Sequence, residues 1–221
     1  MFYERDFSEV LRLGDVVRGF VSTQPNITSP QLCDNEYRNL CSVDIEVPSY
    51  SVVLSPCCSI DEGVVCLSPL IELNNKIFKI PHFREDPTRI NSLVEPHNSV
   101  PPSVWDNPDF QQEKLKRLAV GPTYVFLHYF VYEANAVFKP YNIAMKGEAN
   151  IETSYYMIDF RKIYSLCCSM VKSKDKLTDR DEPLIKSKCL ELSVDTRLAL
   201  REKLSFYFWR PAPEDEALIH S

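Results

Sequence analysis

Cysteines are the residues of this sequence with the clearest capacity for chemistry, and their arrangement is unusual. Two adjacent pairs, Cys57-Cys58 and Cys167-Cys168, are each followed by serine. A structural zinc ion takes four nitrogen or sulfur ligands, often from two closely spaced pairs. The cysteines that we assign to such a site are Cys33, Cys41, Cys57 and Cys58.

The spacing of these cysteines favours a simpler interpretation. No C-x-x-C step occurs in the chain, and adjacent side chains on an extended strand point to opposite faces. We therefore expect thiols in the core or at its rim. Zinc binding is the first alternative and a nucleophilic cysteine beside a histidine is the second. No other cofactor is expected.

A second group of candidates lies in the segment 81–108, which is rich in proline and lacks periodicity. A segment of this kind is either an ordered functional loop or an irregular insertion. Histidines transfer protons near neutral pH, and arginines bind phosphates. The candidate catalytic residues are His82, Arg84, Arg89 and His97. The alternative is a solvated loop in which the charges of "HFREDPTR" (82–89) cancel locally.

Basic residues form the third group. The chain carries a formal net charge of −6, so a nucleic acid would have to be bound by a local patch rather than by a basic surface overall. The candidates for such a patch are Lys114, Arg117, Arg161 and Lys162. Exposed lysines on helices also serve solubility, which is the other interpretation.

The elements that must position these residues alternate between strands and helices. Strands are predicted within 11–22, 43–55 and 63–73, two more within 124–138, and either a further pair or one long bent strand within 154–171. Residues 23–42 are predicted to form a loop because proline, asparagine and serine dominate there. One helix is predicted after Asn107-Pro108, ending at Gly121, and a longer one after Ser193. The order indicates an α+β protein with an antiparallel, partly closed β-barrel, a mid-chain helix and a C-terminal helix.

The whole chain, 1–221, is expected to be a single domain, with 81–108 as an irregular insertion and 172–183 as a charged flexible loop. The N-terminal residues "MFYERDFSEV" lack the pattern of a signal peptide. The most apolar stretch, 124–138, is too short and too polar to cross a bilayer. A cytoplasmic protein without membrane contact is therefore expected, with its cysteines reduced.

Five short motifs, taken in order, resemble the PemK/MazF family of small-barrel toxin endoribonucleases. They are Gly14-Asp15-Val16-Val17, Val52-Val53-Leu54-Ser55, Val64-Val65-Cys66-Leu67-Ser68-Pro69-Leu70, Asp159-Phe160-Arg161-Lys162-Ile163, and Leu192-Ser193 before the last helix. The resemblance covers about half of the chain and implies a small β-barrel, an RNA substrate and a homodimer. The catalytic positions of the family are not matched. The family's arginine before "VVLS" is replaced here by "EVPSYS", and its threonine after Pro-Ile falls on Ile71.

These observations predict a diverged, non-catalytic toxin-like barrel that acts as a protein- or RNA-interaction module. A role in bacterial stress or phage defence is implied by the resemblance alone. One alternative is an endoribonuclease whose active site has moved to 81–108. The other is a zinc-dependent protein that uses the cysteines.

Overall fold

The computed structural model describes residues 1–8, 10–19, 22–33, 36–55, 60, 64–145, 147, 149–167 and 187–209, and for 22–33, 36–44, 166 and 167 it describes the backbone only. These residues fall into two compact units. Unit 1 comprises the described parts of Met1–Phe7, Ile71–Lys162 and Leu190–Ser221, and unit 2 those of Ser8–Leu70 and Ile163–Cys189. Because each unit is assembled from separate parts of the sequence, this division does not test the prediction of a single domain.

Twelve strands and four α-helices are described. The strands are β1 (Val16–Arg18), β2 (Ser22–Cys33), β3 (Glu36–Glu46), β4 (Tyr50–Val53), β5 (Val64–Pro69), β6 (Ile71–Glu72), β7 (Tyr129–Tyr132), β8 (Tyr141–Ile143), β9 (Ile151–Thr153), β10 (Tyr156–Asp159), β11 (Tyr164–Cys167) and β12 (Lys188–Leu190). The helices are α1 (Pro81–Glu85), α2 (Pro102–Trp105), α3 (Gln111–Val120) and α4 (Val194–Trp209). Short 3-10 turns cover Ile77–Lys79, Pro87–Asn91, Pro96–Asn98 and Pro108–Phe110.

Unit 2 is built on a five-stranded sheet in the order β11-β5-β4-β1-β12. The pairs β1–β4, β4–β5 and β5–β11 are antiparallel, and Val53 lies opposite Leu67. The apolar side chains of one face form a core with Leu11 and Ile60, and its strand residues are Val17, Val53, Val65 and Leu67. Within the described part of the chain this sheet is open, with β11 and β12 at its edges. The antiparallel architecture is confirmed, whereas the partly closed barrel is not.

The sequence prediction of a loop at residues 23–42 is wrong. They do not form a loop, because most of them pair as the long antiparallel ribbon β2–β3. Pro25 and Pro30 occur within β2 and led to the loop prediction. A two-stranded ribbon tolerates proline because half of the N–H groups of each strand point away from the partner.

Unit 1 combines the antiparallel sheet β6-β10-β7, the hairpin β8–β9 and all four α-helices. Its core is apolar and draws on the segment 81–108 as well as on the strands. The buried members are Leu73, Ile77, Phe78, Ile80, Phe83, Ile90, Val94, Val131, Ile143 and Met157. The segment 81–108 is therefore a series of short helical turns whose apolar side chains anchor it in the core.

Both predicted helices are confirmed, and their ends follow local rules. Asn107 accepts a hydrogen bond from the Asp109 amide at 2.9 Å, and Gly121 ends α3 with a φ of +81°. Ser193 accepts a hydrogen bond from the Thr196 amide at 3.3 Å and so caps α4. Within the described residues, no helix has the length and apolar character needed to span a bilayer.

The prediction of two strands within 124–138 is wrong. Residues 125–128 form a turn, Phe126 has a φ of +53°, and only Tyr129–Tyr132 are extended. A positive φ breaks a strand and is rare for an aromatic residue. The predicted pair within 154–171 is confirmed as the strands β10 and β11, which belong to different sheets. The expected flexible loop 172–183 lies outside the described residues.

Candidate functional site

The segment 81–108 brings three of the four predicted catalytic residues into one group. Arg89 donates from Nη1 to Glu85 at 2.7 Å and to the carbonyl of His82 at 3.0 Å, and its Nη1 lies 3.4 Å from Nδ1 of His82. Asp86 orients this group because it caps the turn Pro87–Asn91 through the Thr88 amide at 2.9 Å. We call His82, Glu85, Arg89 and His97 the His82 cluster. Arg84 is exposed on α1.

The electrostatics of the His82 cluster favour a neutral imidazole. Burial lowers the pKa of His82 below 6.5, the nearby charge of Arg89 lowers it further, and Glu85 opposes both. The nearby His97 also lowers this pKa. A neutral histidine beside an arginine has the composition of a general base next to a phosphate-binding group.

The basic residues predicted on the mid-chain helix are engaged with their own neighbours. Arg117 donates to Glu113 at 3.0 Å and to the Ser99 hydroxyl at 2.9 Å. The Lys114 ammonium lies 4.9 Å from the ring centre of Trp105. These contacts hold α3 against the turns that precede it, so both cations have a structural explanation.

Arg161 differs from Arg117 and Lys114 because its side chain is held in one orientation and is still exposed. It follows β10 in a turn, and its Nε and Nη2 donate to the two carboxylate oxygens of Asp159 at 2.9 and 2.6 Å. Asp159 also accepts from the Arg161 amide at 3.0 Å, so a single carboxylate orients backbone and side chain. The side chain of Asp159 is 7% exposed and that of Arg161 is 56% exposed.

Hydrogen bonds between Asp159 and Arg161 keep the Asp159 carboxylate charged. Burial alone would raise the pKa of Asp159, but the hydrogen bonds and charge of Arg161 outweigh burial and lower it. The carboxylate is therefore charged at neutral pH. The Nη1 group of Arg161 lies on the edge of the planar guanidinium opposite to the edge that binds Asp159.

Aromatic rings flank Arg161. Its guanidinium carbon lies 5.7 Å from the ring centre of Tyr129, and Nη2 lies 3.4 Å from the Tyr129 hydroxyl. The His128 and Tyr129 rings are 4.0 Å apart between centroids. Lys162 follows in the same turn, its amide bonded to the Asp159 carbonyl at 2.8 Å. We call Arg161, Lys162, Tyr129 and His128 the Arg161 surface.

Burial and nearby positive charges keep the His128 ring neutral at physiological pH. Burial lowers its pKa below 6.5, the positive charge of Arg161 lowers it further, and Lys203 does so when its amine is protonated, while Asp159 acts in the opposite direction. The sequence predicted a core histidine at this position, and the ring is half-buried.

Lys203 is a residue that the sequence prediction missed. It lies on α4 and its side chain is fully buried. Its Nζ donates to the carbonyl of Ile90 and lies 5.3 Å from the ring centre of Tyr124. A signal was available in the sequence, because Leu200, Lys203 and Tyr207 follow each other at steps of three and four residues on one helical face.

The proposed zinc ligands are only partly described. Cys57 and Cys58 lie outside the described residues, and for Cys33 and Cys41 only the backbone is described. Cys41 pairs with Ile27 in the β2–β3 ribbon, six residues from Cys33 along β2, which is roughly 20 Å at the rise of a strand. The ribbon itself thus does not bring these two cysteines together. Elsewhere in the described chain, no group of three or more metal-binding side chains is found.

Comparisons with protein-family models, with curated proteins and with solved structures gave no match to this chain. The resemblance to the PemK/MazF family therefore stays a prediction that rests on the order of short motifs.

Proposed function

We propose that this protein is an interaction module that binds single-stranded RNA through the Arg161 surface. The observation that supports the proposal is that the guanidinium of Arg161 is held at two points by a buried carboxylate and yet the Arg161 side chain remains more than half exposed. An arginine fixed in this way loses little conformational entropy when it binds a phosphate. The proposed module is a diverged toxin-like fold. Its barrel closure, homodimer and role in bacterial stress or phage defence rest on the family resemblance.

The aromatic groups beside Arg161 favour a single-stranded ligand. Proteins bind single strands by combining cationic contacts to the backbone with side-chain rings on which bases stack. Tyr129 and His128 provide the rings, and Arg161 and Lys162 provide the charge. A-form duplexes hide their base faces, so a stacking surface discriminates against them.

Replacement of Arg161 tests this proposal. We expect Arg161→Ala to weaken binding of a fluorescein-labelled 12-nucleotide RNA by about 10- to 100-fold, because a hydrogen bond to a charged group contributes about 1.5–3 kcal/mol. Arg161→Lys keeps the charge but loses the planar two-point contact with Asp159 that fixes the direction of the outward donor, and it should weaken binding as well. The measurement is fluorescence anisotropy across a salt series.

Arg201→Ala is the matched control, since Arg201 is an exposed arginine of α4 in the same unit. It should bind RNA as the unmodified protein does. Equal binding by the Arg161 and Arg201 variants, or no RNA binding by the unmodified protein, would contradict the proposal.

A second candidate function is RNA cleavage at the His82 cluster, and the observation that favours it is the contact of Arg89 with His82. General acid–base catalysis contributes about 10²- to 10⁴-fold. If the cluster cleaves RNA, His82→Ala should lower the rate by a factor within this range. The rate should rise with pH through the lowered pKa of His82, because the base must be neutral. Products are measured on denaturing gels with EDTA present.

The control for cleavage is Lys79→Ala, which removes an exposed cation close to α1 in sequence. A cleavage activity that survives in both His82→Ala and His97→Ala would exclude this cluster as its source.

A further inference from the structure

Lys203 is a buried amine for which the packing around it provides few polar contacts. Its side chain is fully buried, whereas the adjacent Arg201 and Glu202 are exposed. Its Nζ donates to one backbone carbonyl, that of Ile90, and faces the ring of Tyr124. The carbonyl and the ring face stabilise an ammonium, but burial favours the neutral amine and outweighs them.

The position of Lys203 links α4 to the Arg161 surface. One helical turn further along the same face, the ring of Tyr207 packs on Phe160 with centroids 5.5 Å apart. Phe160 is buried, immediately precedes Arg161, and donates from its amide to the His128 carbonyl at 2.8 Å. The face of α4 that contains Lys203 and Tyr207 thus packs beneath the turn that orients Arg161.

We propose that Lys203 is a positioning residue whose uncharged amine clamps α4 beneath the Arg161 turn, so that protonation of this amine releases α4 and loosens the turn. The clamp concerns the stability of α4 in unit 1, and its consequence for RNA rests on the proposed function. Burial lowers the pKa of Lys203 to about 7, so the charge on this amine changes near neutral pH.

The direction of the pH dependence follows from proton binding. Once α4 has opened, Lys203 is solvated and has its ordinary pKa of 10.5, so the open form binds a proton more readily than the closed form. Opening is therefore favoured as the pH falls. With a closed-state pKa of about 7, the opening equilibrium should rise about tenfold between pH 8 and pH 6.

The contribution of Lys203 to the pH dependence must be distinguished from that of other ionisable groups nearby. Tyr124 faces the amine, and burial raises the pKa of that phenol above 10.0, beyond the range in question. Glu202 lies on α4, and Arg89 lies on the turn that contains Ile90. Asp159 is the last residue of β10, and Arg161 lies in the turn after it. Burial lowers the pKa of His128, and the charge of Lys203 lowers it further, so His128 is a second titratable group beside this amine.

Hydrogen exchange of the full chain tests the clamp without RNA. Amide protection of α4 and of residues 159–162 is measured by mass spectrometry at pH 6 and pH 8 and corrected for intrinsic exchange rates. We expect the protection factors of the unmodified protein to be about tenfold lower at pH 6 than at pH 8. Lys203→Met has no titrating group and should show equal protection at both values. Lys203→Gln, which can still donate to the Ile90 carbonyl, replaces it if the methionine variant does not fold.

One control assigns the effect. Lys79→Met removes an exposed lysine of unit 1 and should keep the tenfold change. Protection that is independent of pH in the unmodified protein, or a change that persists in Lys203→Met and Lys203→Gln, overturns the clamp.

The RNA measurement is kept separate so that the two proposals fail independently. Anisotropy titrations at pH 6 and pH 8 should show a greater loss of affinity at pH 6 for the unmodified protein than for Lys203→Met. Absence of RNA binding at pH 8 refutes the proposed function and leaves the exchange result standing. Binding with the same pH dependence in both proteins overturns the link between the clamp and the Arg161 surface.

Discussion

Asp15→Ala is expected to lower the free energy of unfolding of unit 2 by about 3–5 kcal/mol. Asp15 is fully buried, and its Oδ2 lies 2.8 Å from the Nζ of Lys188, whose side chain is 2% exposed. The ammonium of Lys188 also donates to the backbone carbonyls of residues 8 and 10, at 3.4 and 3.1 Å, and the alanine variant removes the Asp15 carboxylate from this buried ion pair. Removing one partner of a buried ion pair is one of the most destabilising changes a single substitution can make.

The measurement must report on unit 2. Both tryptophans, Trp105 and Trp209, belong to unit 1, so urea unfolding is followed by far-ultraviolet circular dichroism and by hydrogen exchange of β1, β4 and β5. The double variant Asp15→Ala/Lys188→Met removes both charges and should recover most of the loss. Asp106→Ala, at an exposed position of unit 1, should change stability by less than about 0.5 kcal/mol. A loss below about 1 kcal/mol in Asp15→Ala would contradict the buried pair.

The Gly14-Asp15 motif can now be explained by structure. Gly14 has a φ of +90° and donates to the Val53 carbonyl at 2.7 Å, and the Asp15 carbonyl accepts from the Val53 amide at 2.9 Å. The motif therefore starts β1 beside β4 and places Asp15 at Lys188. These roles are structural, so the presence of the motif carries no evidence of nuclease activity.

Features determined by local rules were predictable from the sequence. The cap at Asn107, the positive φ of Gly121 and the apolar alternation of β4 and β5 depend on a few neighbouring residues. The ribbon β2–β3 was missed because local composition favours a loop there, and only pairing with the partner strand makes it extended.

The candidate site was predictable in part. Arg161 was identified as a basic residue, but its buried partner Asp159 and its ring neighbour Tyr129 stand on two different strands that the register brings together. Lys203 was missed because burial of a lysine is rare, and because its contacts come from Ile90 and Tyr124, which are distant in sequence. The helical spacing marks the face of α4 on which Lys203 lies, but contacts that arise from three separate segments leave no local pattern.

Asn91→Ala is expected to lower the free energy of unfolding of unit 1 by about 2–5 kcal/mol, because two buried backbone groups lose their partners. The side-chain amide of Asn91 donates to the Val131 carbonyl at 2.7 Å, and its oxygen accepts from the Val131 amide at 2.7 Å. β7 is an edge strand of its sheet, and Asn91 takes the place of a neighbouring strand at that edge. Fluorescence of the two tryptophans of unit 1 during urea unfolding measures the loss.

Asn91 joins the segment that contains the His82 cluster to the strand that contains Tyr129. The substitution therefore tests how the site is held in place without changing any residue that would contact RNA. Trypsin should cleave Asn91→Ala faster after Arg84 and Arg89, and RNA affinity should fall although no residue of the Arg161 surface has changed. Asn142→Ala, at an exposed position on β8, is the control for both measurements. Wild-type stability in Asn91→Ala would show that β7 does not depend on this edge contact, and the segment 81–108 would then have to be held by its apolar side chains alone.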